Sequence, residues 1–223
     1  MTSDKMEEAQ RSLMRIWIDF ESGLRQVPLI RRLLAGLLKT EDYRALLLNL
    51  RQQVVEGSRW ISRAASSFDA SHSELRSMFI SHAQAEHRDY LLLENNFVAA
   101  GGTLEEIRTY PKNIGSEALN AWMFHAASQS NPVGLLGAMF IIENLGQRIA
   151  GPWAQQVRSQ TGLPDDAFTF FSYHAENDEE HMREFENALS LVVSVDGAVA
   201  EIARHARVTA RLYRLQLEEI EHV

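Results

Sequence analysis

The sequence predicts an all-α fold, and three observations support this prediction. Long stretches of the 223-residue chain carry apolar residues at the three- and four-residue spacing of amphipathic helices. Prolines are few, and four of the five lie at the ends of these stretches or between them. No stretch shows the alternating apolar and polar residues that would indicate a β-sheet, and we find no repeat or linker. We therefore expect a single helical domain over residues 1–223.

The signals at the helix ends justify the individual elements. Thr40 is an N-cap residue followed by two acids, which suits the start of a helix. Gly101 tolerates the left-handed backbone that closes a helix, and Asn131 before Pro132 is typical of a helix start. The expected helices, in chain order, cover about 5–23, 28–39, 40–67, 72–100, 115–130, 132–160, 164–191 and 196–220.

The composition is that of a globular protein and excludes several classes of function. Hydrophobic residues make up 45% of the chain and charged residues 23%. The net charge of −8 argues against a nucleic-acid partner. The absence of cysteine excludes disulfides, thiolate metal ligands and a cysteine nucleophile. A polar N-terminal segment and the lack of an apolar run of roughly 20 residues predict no membrane partner and a soluble, cytoplasmic protein.

The most informative pattern consists of His174, Asp178 and His181. Their spacing of i, i+4 and i+7 places them within about 60° of one another on a helix and over about 10 Å of its axis. Such a spread suits two metal ions about 3.5–4 Å apart, with the central carboxylate between them. Histidine and aspartate together favour iron, manganese or zinc. The alternative is a solvated polar face, because other acidic residues are interleaved in this segment.

A second stripe with the same spacing consists of His82, Glu86 and Asp89. Two helices would therefore each offer three potential metal ligands on one face. His87 lies about 100° from this stripe, and we expect it on the surface. A histidine and two acids in so polar a segment are usually solvated, so the second stripe supports a metal site only together with the first.

Glu143 is a lone carboxylate that follows an apolar run at 134–142. A charge in such surroundings is costly unless it is paired or bound to a metal. We therefore interpret Glu143 as a third metal-binding element. The alternative is that it marks the solvent edge of an otherwise buried helix.

These motifs together resemble those of the iron-containing redox enzymes with the heme-oxygenase-like fold. The resemblance covers roughly residues 40–190 and implies a heme-oxygenase-like bundle of about seven to eight helices around a diiron centre. The residues that carry the resemblance are Glu86-x-x-Asp89, the segment from Asn96-Phe97 to Gly101, Glu143, and His174-x3-Asp178-x2-His181. The metal ligands that it implies are Glu86, Asp89, Glu143, His174, Asp178 and His181.

The resemblance also implies a chemistry. Such enzymes bind two Fe(II) ions, activate O2 as co-substrate and oxidise a small organic molecule. The substrate would be a carboxylate-bearing metabolite of the amino-acid or fatty-acid type, in specialised or cofactor metabolism. An external electron donor and a homodimer are further expectations.

The chain departs from the family pattern at Asp89, where relatives often carry a histidine. Aspartate is a harder donor, so this position would weaken one iron site or favour manganese. His82, one turn before Glu86, would supply the missing imidazole. The resemblance also excludes two activities of the fold: thiaminase-type hydrolysis needs a cysteine, and heme degradation needs a histidine near the N-terminus, whereas the first one here is His72.

Residues that contact the substrate are expected among aromatic and basic side chains. We predict Tyr90, Tyr173 and Arg63 for this role, with Arg63 and Arg59 one turn apart as a clamp for a carboxylate. Core packing and a solvated arginine face are the alternatives. Two other functions stay open: a metal-free ligand-binding protein or cofactorless oxidase of the same fold, and an interaction protein with a vestigial metal site.

Overall fold

Helices form the regular structure of the described chain. The computed structural model describes the backbone of residues 2–222 and the side chains of residues 4–175 and 181–221. Within these bounds there is no β-strand, which confirms the all-α prediction. The α-helices are α1 (Thr2–Leu24), α2 (Pro28–Leu34), α3 (Thr40–Ser67), α4 (Ser73–Glu86), α5 (Tyr90–Ala99), α6 (Leu104–Thr109), α7 (Ile114–Ala127), α8 (Leu135–Leu145), α9 (Gly151–Thr161), α10 (Thr169–Val192) and α11 (Ala198–Glu218). Single 3-10 turns lie at Ala70–His72, Asp165–Phe168 and Glu219–His222.

The α8 helix lies at the centre of the bundle. All of its residues from Leu135 to Ile141 are buried, as an apolar run without a polar face requires. α11 packs along it, and Gly137 permits this close approach, because a Cβ there would overlap the carbonyl oxygen of Ile202. α10 also packs against α8 and contacts α4 and α5. Three helices with predicted metal ligands, α4, α8 and α10, therefore meet.

The predicted helix 72–100 is interrupted after Glu86. α4 ends there, and α5 begins at Tyr90. The hydrogen bonds of the intervening turn join residues three apart, as in a 3-10 helix. The amide of Asp89 donates to the carbonyl of Glu86 at 3.3 Å, and the amide of Leu92 donates to the carbonyl of Asp89 at 3.0 Å. The break occurs where histidine and aspartate, both weak helix formers, lie close together. It was not predicted because the helical periodicity continues on both sides of it. Asp89 thus lies in a turn, not on a continuous helical stripe.

The predicted helix 132–160 is also irregular. A π-helical turn at Gly146–Ala150 joins α8 to α9. Pro152 has no amide hydrogen to donate to the carbonyl of Arg148. Gly146, the first residue of the turn, and Gly151, which follows it, weaken the regular helix. Turns of this kind are frequent at functional sites, and this one comes three residues after Glu143.

Two smaller differences concern short helices. α2 ends at Leu34, earlier than predicted, and Gly36 follows in the left-handed conformation with φ of 72°. α6 was not predicted; its N-cap Thr103 accepts a hydrogen bond from the amide of Glu106 at 3.2 Å. Neither difference changes the centre of the bundle.

A membrane-spanning segment is not found in the described chain. None of its helices combines the length and the apolar character that crossing a bilayer requires.

Candidate metal centre

Glu143 is a buried carboxylate between two histidines. Its side chain is about 5% exposed, so it does not lie at the solvent edge of α8. Oε1 lies 3.2 Å from Nε2 of His82 on α4, and Oε2 accepts a hydrogen bond from Nδ1 of His181 on α10 at 3.0 Å. The rings of His82 and His181 meet edge to face, with centroids 4.7 Å apart. Glu143 thus joins three helices.

The charges of this group stabilise one another. Burial by itself would raise the pKa of Glu143, but the adjacent His181 and His82 outweigh it and hold this pKa well below its usual value. Burial by itself would lower the pKa of His82, but the neighbouring Glu143 and Glu86 raise it above the ordinary value. An anionic carboxylate is therefore maintained in the centre of the bundle, where a cation would be bound.

A second group of ligand-type side chains lies next to the first and consists of Glu86, Asp89 and His174. Nε2 of His174 lies 3.3 Å from Oδ2 of Asp89 and 4.0 Å from Oε2 of Glu86. The other carboxylate oxygen of Glu86 lies 3.7 Å from Nδ1 of His181. Glu86 is therefore placed between the two groups, with one oxygen toward each.

Backbone contacts orient His174. Its Nδ1 donates to the carbonyl oxygen of Phe170 at 2.9 Å, which turns Nε2 toward the carboxylates. A histidine fixed in this way through one ring nitrogen is typical of metal ligands. Asn96 in turn fixes Phe170: its Oδ1 accepts from the Phe170 amide at 3.0 Å, and its Nδ2 donates to the carbonyl oxygen of Asp166 at 2.7 Å. This role of Asn96 was not predicted; the signal was a fully buried amide within an apolar segment.

The donor set fits metal ions. His82, Glu86 and His181 form one set of three whose ligand atoms lie within 4.8 Å of one another, and Glu86, Asp89 and His174 form another. Nδ1 of His82 is buried and has no hydrogen-bond partner among the described residues. Oδ2 of Asp89 is also buried, and Nε2 of His174 at 3.3 Å does not form a hydrogen bond of good geometry with it. Such atoms are costly unless something else satisfies them, and a bound cation would satisfy the carboxylate. Mixed imidazole and carboxylate donors suit iron or manganese.

The structure brings together most of the predicted ligands. Glu86, Asp89, Glu143, His174 and His181 converge, and His82 joins them. His87 is exposed, as expected. The predicted ligand Asp178 falls outside the described side chains. We expected the central carboxylate of the α10 stripe between the two metals; among the described residues, the carboxylate that faces both groups is Glu86.

A cavity of about 120 Å³ adjoins the cluster. Its wall consists mainly of apolar residues from α3, α10 and the α8–α9 segment, among them Trp60, Trp153 and Phe171. Outside the cluster, the side chains with amide or hydroxyl groups in the described wall are Gln53 and Tyr213. No arginine or lysine belongs to the wall as described. The cavity therefore suits a largely apolar molecule next to the metal ligands.

The three residues predicted to contact substrate do not line this cavity. Arg63 is exposed and donates from Nε to Oγ of Ser128 at 3.0 Å. The exposed fraction of Tyr173 is 38%. Tyr90 lies under Arg51, whose guanidinium carbon is 5.7 Å from the ring centroid. Aromatic character alone did not distinguish cavity residues from others, because this distinction depends on how the helices pack.

Solved structures share this fold. A domain of unknown function with a heme oxygenase-like fold from Shewanella denitrificans OS217 aligns with a TM-score of 0.87 and 19% identity, over 93% of this chain and 89% of that one. A TenA homologue from Pseudomonas syringae pv. tomato DC3000 aligns with a TM-score of 0.75 and 16% identity, over 96% and 93%. A TenA homologue from P. horikoshii OT3 aligns with a TM-score of 0.67 and 15% identity, over 99% of this chain and 98% of that one. At these identities the likeness shows the fold alone, and it confirms the predicted heme-oxygenase-like fold.

Comparison at the level of sequence gives the family. No curated protein matches the chain. Residues 4–214 match the family described as iron-containing redox enzymes. Because this match spans nearly all of the 223 residues, the chain belongs to the family of iron-containing redox enzymes.

Proposed function

We propose that this protein is a non-heme diiron oxidase or oxygenase that uses O2 to oxidise a small, mostly apolar organic molecule. The observation that carries the proposal is a pair of largely buried ligand groups that share Glu86 and lie beside an apolar cavity. Membership of the iron-containing redox enzymes supports iron as the metal, with manganese as the alternative.

We assign each ligand to one of the two metals or to both. Glu86 would bind both metals, and Asp178 is retained as a ligand from the sequence pattern. The ligands of the first iron would be His82, Glu143 and His181, and those of the second Asp89 and His174. When bound, two Fe(II) ions would supply electrons for the reduction of O2, with any further electrons coming from the substrate or an external donor.

The negative charges of the ligands suit two divalent metal ions. Glu86, Asp89 and Glu143 carry three negative charges among the described side chains, and Asp178 would add a fourth. Four carboxylates would balance the charge of two divalent ions. Burying a neutralised cluster costs far less than burying a net charge.

The remaining residues control position and solvent. The Phe170 carbonyl holds one ring nitrogen of His174, so that the other stays directed at the cluster. The apolar wall keeps water away from the place where oxidation would occur, which limits side reactions. A substrate carboxylate, which the sequence resemblance implies, would meet no arginine or lysine in the described wall. The cavity thus favours an apolar substrate, and the carboxylate stays a prediction.

A metal-free ligand-binding protein is the second candidate. The preformed cavity and the structural likeness to TenA homologues favour it. The two candidates differ in what iron does: the diiron proposal requires iron for O2 consumption, whereas a binding protein consumes none. The homodimer, the cytoplasmic location and the external electron donor stay predictions.

Oxygen consumption by iron-loaded protein tests the proposal. The chain would be purified without metal, loaded with Fe(II) anaerobically, and mixed with O2 in an oxygen electrode cell. We expect rapid uptake for the wild type and for His87→Ala, which removes an exposed histidine beside the cluster. His174→Ala should reduce uptake at least about tenfold, because it removes a ligand. Equal uptake by all three proteins, or none by the wild type, would overturn the proposal.

A further inference from the structure

Gln53 and Tyr213 are buried polar side chains in the cavity wall. Only 7% of Gln53 and 9% of Tyr213 is exposed, and both line the cavity. Neither the Gln53 amide nor the Tyr213 hydroxyl forms a hydrogen bond with any described residue. Because both residues line the cavity, a ligand there would supply the hydrogen bonds that the described residues do not.

Gln52 and Tyr43 are residues of the same types that lie outside the cavity wall and have hydrogen-bond partners. Gln52, next to Gln53 but not in the cavity wall, donates from Nε2 to the carbonyl oxygen of Ile107 at 3.4 Å. The hydroxyl of Tyr43, also outside the wall, donates to the carbonyl oxygen of Ala167 at 2.6 Å. Buried polar atoms without a partner do occur elsewhere, among them both amide atoms of Gln216 on α11. What sets Gln53 and Tyr213 apart is therefore their shared position in the cavity wall.

The two groups are uncharged. A glutamine amide has no charge, and burial raises the pKa of the Tyr213 hydroxyl, which therefore keeps its proton. No arginine or lysine lies in the described wall to neutralise an anion there. A buried carboxylate would be strongly disfavoured at this place, whereas a hydroxyl, carbonyl or amide would gain hydrogen bonds.

We propose that Gln53 and Tyr213 together bind an uncharged hydrogen-bonding group, such as a hydroxyl or carbonyl, on an otherwise apolar substrate. This proposal rests on the proposed function insofar as the cavity beside the metal cluster is the substrate site. Gln53 lies on α3 and Tyr213 on α11, so the two side chains hold the group from different helices. The Gln53 amide and the Tyr213 hydroxyl can each donate and accept a hydrogen bond. Hydrogen bonds from both to one group would fix the orientation of the substrate along the cavity.

Binding of three six-carbon probes tests the assignment: 1-hexanol, 1-chlorohexane and hexanoate. They share a chain of similar size and differ in the group at its end, and a cavity of about 150 Å³ is known to hold a six-carbon ring. Affinities would be measured by titration calorimetry with metal-free protein, so neither iron nor O2 is needed. The variants are Gln53→Leu and Tyr213→Phe, with Gln52→Leu and Tyr43→Phe as matched controls that remove the same groups outside the cavity.

We expect the wild type and both controls to bind 1-hexanol at least about tenfold more tightly than 1-chlorohexane and hexanoate. Gln53→Leu and Tyr213→Phe should each remove most of the preference over 1-chlorohexane. Hexanoate as the tightest ligand, or an unchanged preference in both cavity variants, would overturn the proposal. Melting temperatures of all variants identify any variant that fails to fold. If Gln53→Leu fails to fold, the conservative Tyr213→Phe still tests the proposal.

Failure of this proposal and failure of the diiron proposal are distinguishable. If iron uptake and O2 consumption are found but the preference is not, the substrate assignment alone is wrong. If the preference is found but no iron binds, the cavity is a ligand site without the oxidase.

Discussion

At the scale of single residues, the candidate centre depends on a chain of hydrogen bonds that ends at His174. Asn96 holds the amide of Phe170, and the carbonyl of Phe170 holds Nδ1 of His174. Asn96 is fully buried and also donates to Oγ1 of Thr169 at 2.6 Å. The partner of a metal-binding histidine affects metal affinity strongly, although it never touches the metal.

Replacing Asn96 should therefore weaken metal binding. We expect Asn96→Ala to lower the Mn(II) or Fe(II) affinity about 10- to 100-fold, because the start of α10 and the ring of His174 lose their fixed position. Anaerobic equilibrium titration measures this. Asn95→Ala is the matched control, since Asn95 is exposed and next in sequence. Equal affinities in the two variants would show that Asn96 does not position the site.

At the scale of helices, buried charges fix α5, which begins directly after Asp89. Glu94 on α5 accepts from Arg51 on α3 at 2.9 Å and from Arg108 on α6 at 2.7 Å. The Glu94 side chain is 2% exposed and that of Arg51 13%, so the pair is shielded from solvent. Removing one partner of such a pair leaves the other charge buried and unpaired.

Glu94→Gln should lower the free energy of unfolding by about 2–4 kcal/mol, mostly because Arg51 is left buried and unpaired. Urea unfolding followed by circular dichroism measures it. Glu105→Gln, at an exposed acid on α6, is the control and should change the free energy of unfolding by less than about 0.5 kcal/mol. A loss in Glu94→Gln no larger than in the control would contradict the role of this triad.

The packing of α11 should make stability depend on pH. Burial lowers the pKa of His205 to about 4, and the positive charges of Arg204 and His125 add to this effect. In the unfolded chain a histidine has a pKa of about 6.5. Between these values the unfolded chain binds a proton that the folded chain does not, so stability falls as the pH is lowered from about 6.5 toward 4.

His205→Phe should reduce this loss, because phenylalanine cannot be protonated. Melting temperatures of the metal-free protein, recorded across this pH range, would show a flatter profile for His205→Phe than for the wild type. His87→Phe, at an exposed position, should keep the wild-type slope. Parallel profiles in all three proteins would mean that other groups cause the acid sensitivity.

At the scale of the whole molecule, the candidate ligands connect helices that are distant in sequence. Candidate ligands come from α4, α8 and α10, so metal binding would join these three helices. A ligand that binds only the folded chain stabilises it in proportion to its affinity. At a free metal concentration 100 times the dissociation constant, the gain is about 2.7 kcal/mol.

Mn(II), which resists oxidation in air, should raise the melting temperature of the wild type measurably. His181→Ala should lose most of this shift, since His181 contacts both Glu143 and Glu86. Differential scanning calorimetry with and without metal checks this, and His87→Ala serves as the control. The same shift in His181→Ala as in the wild type would place the metal elsewhere.

The sequence predicted the helices and the grouping of ligands better than the irregular parts. The predicted helix 40–67 coincides with α3, and the spacing of His174 and His181 correctly placed them on one helix. The break at Asp89 and the π-helical turn after Glu143 were missed because local periodicity continues through both. Gly146, Gly151 and Pro152 are nevertheless sequence signals for the second. The cavity wall was missed for a related reason: Gln53 and Tyr213 come from α3 and α11, and only packing brings them to one cavity.

The central claim is that two irons bind to one chain through a shared Glu86. Metal-free protein titrated anaerobically with ⁵⁷Fe(II) and measured by Mössbauer spectroscopy tests it most directly. The diiron proposal predicts two irons per chain in the wild type and in His87→Ala, and at most one in Glu86→Ala. One iron or none in the wild type, or two in Glu86→Ala, would contradict it.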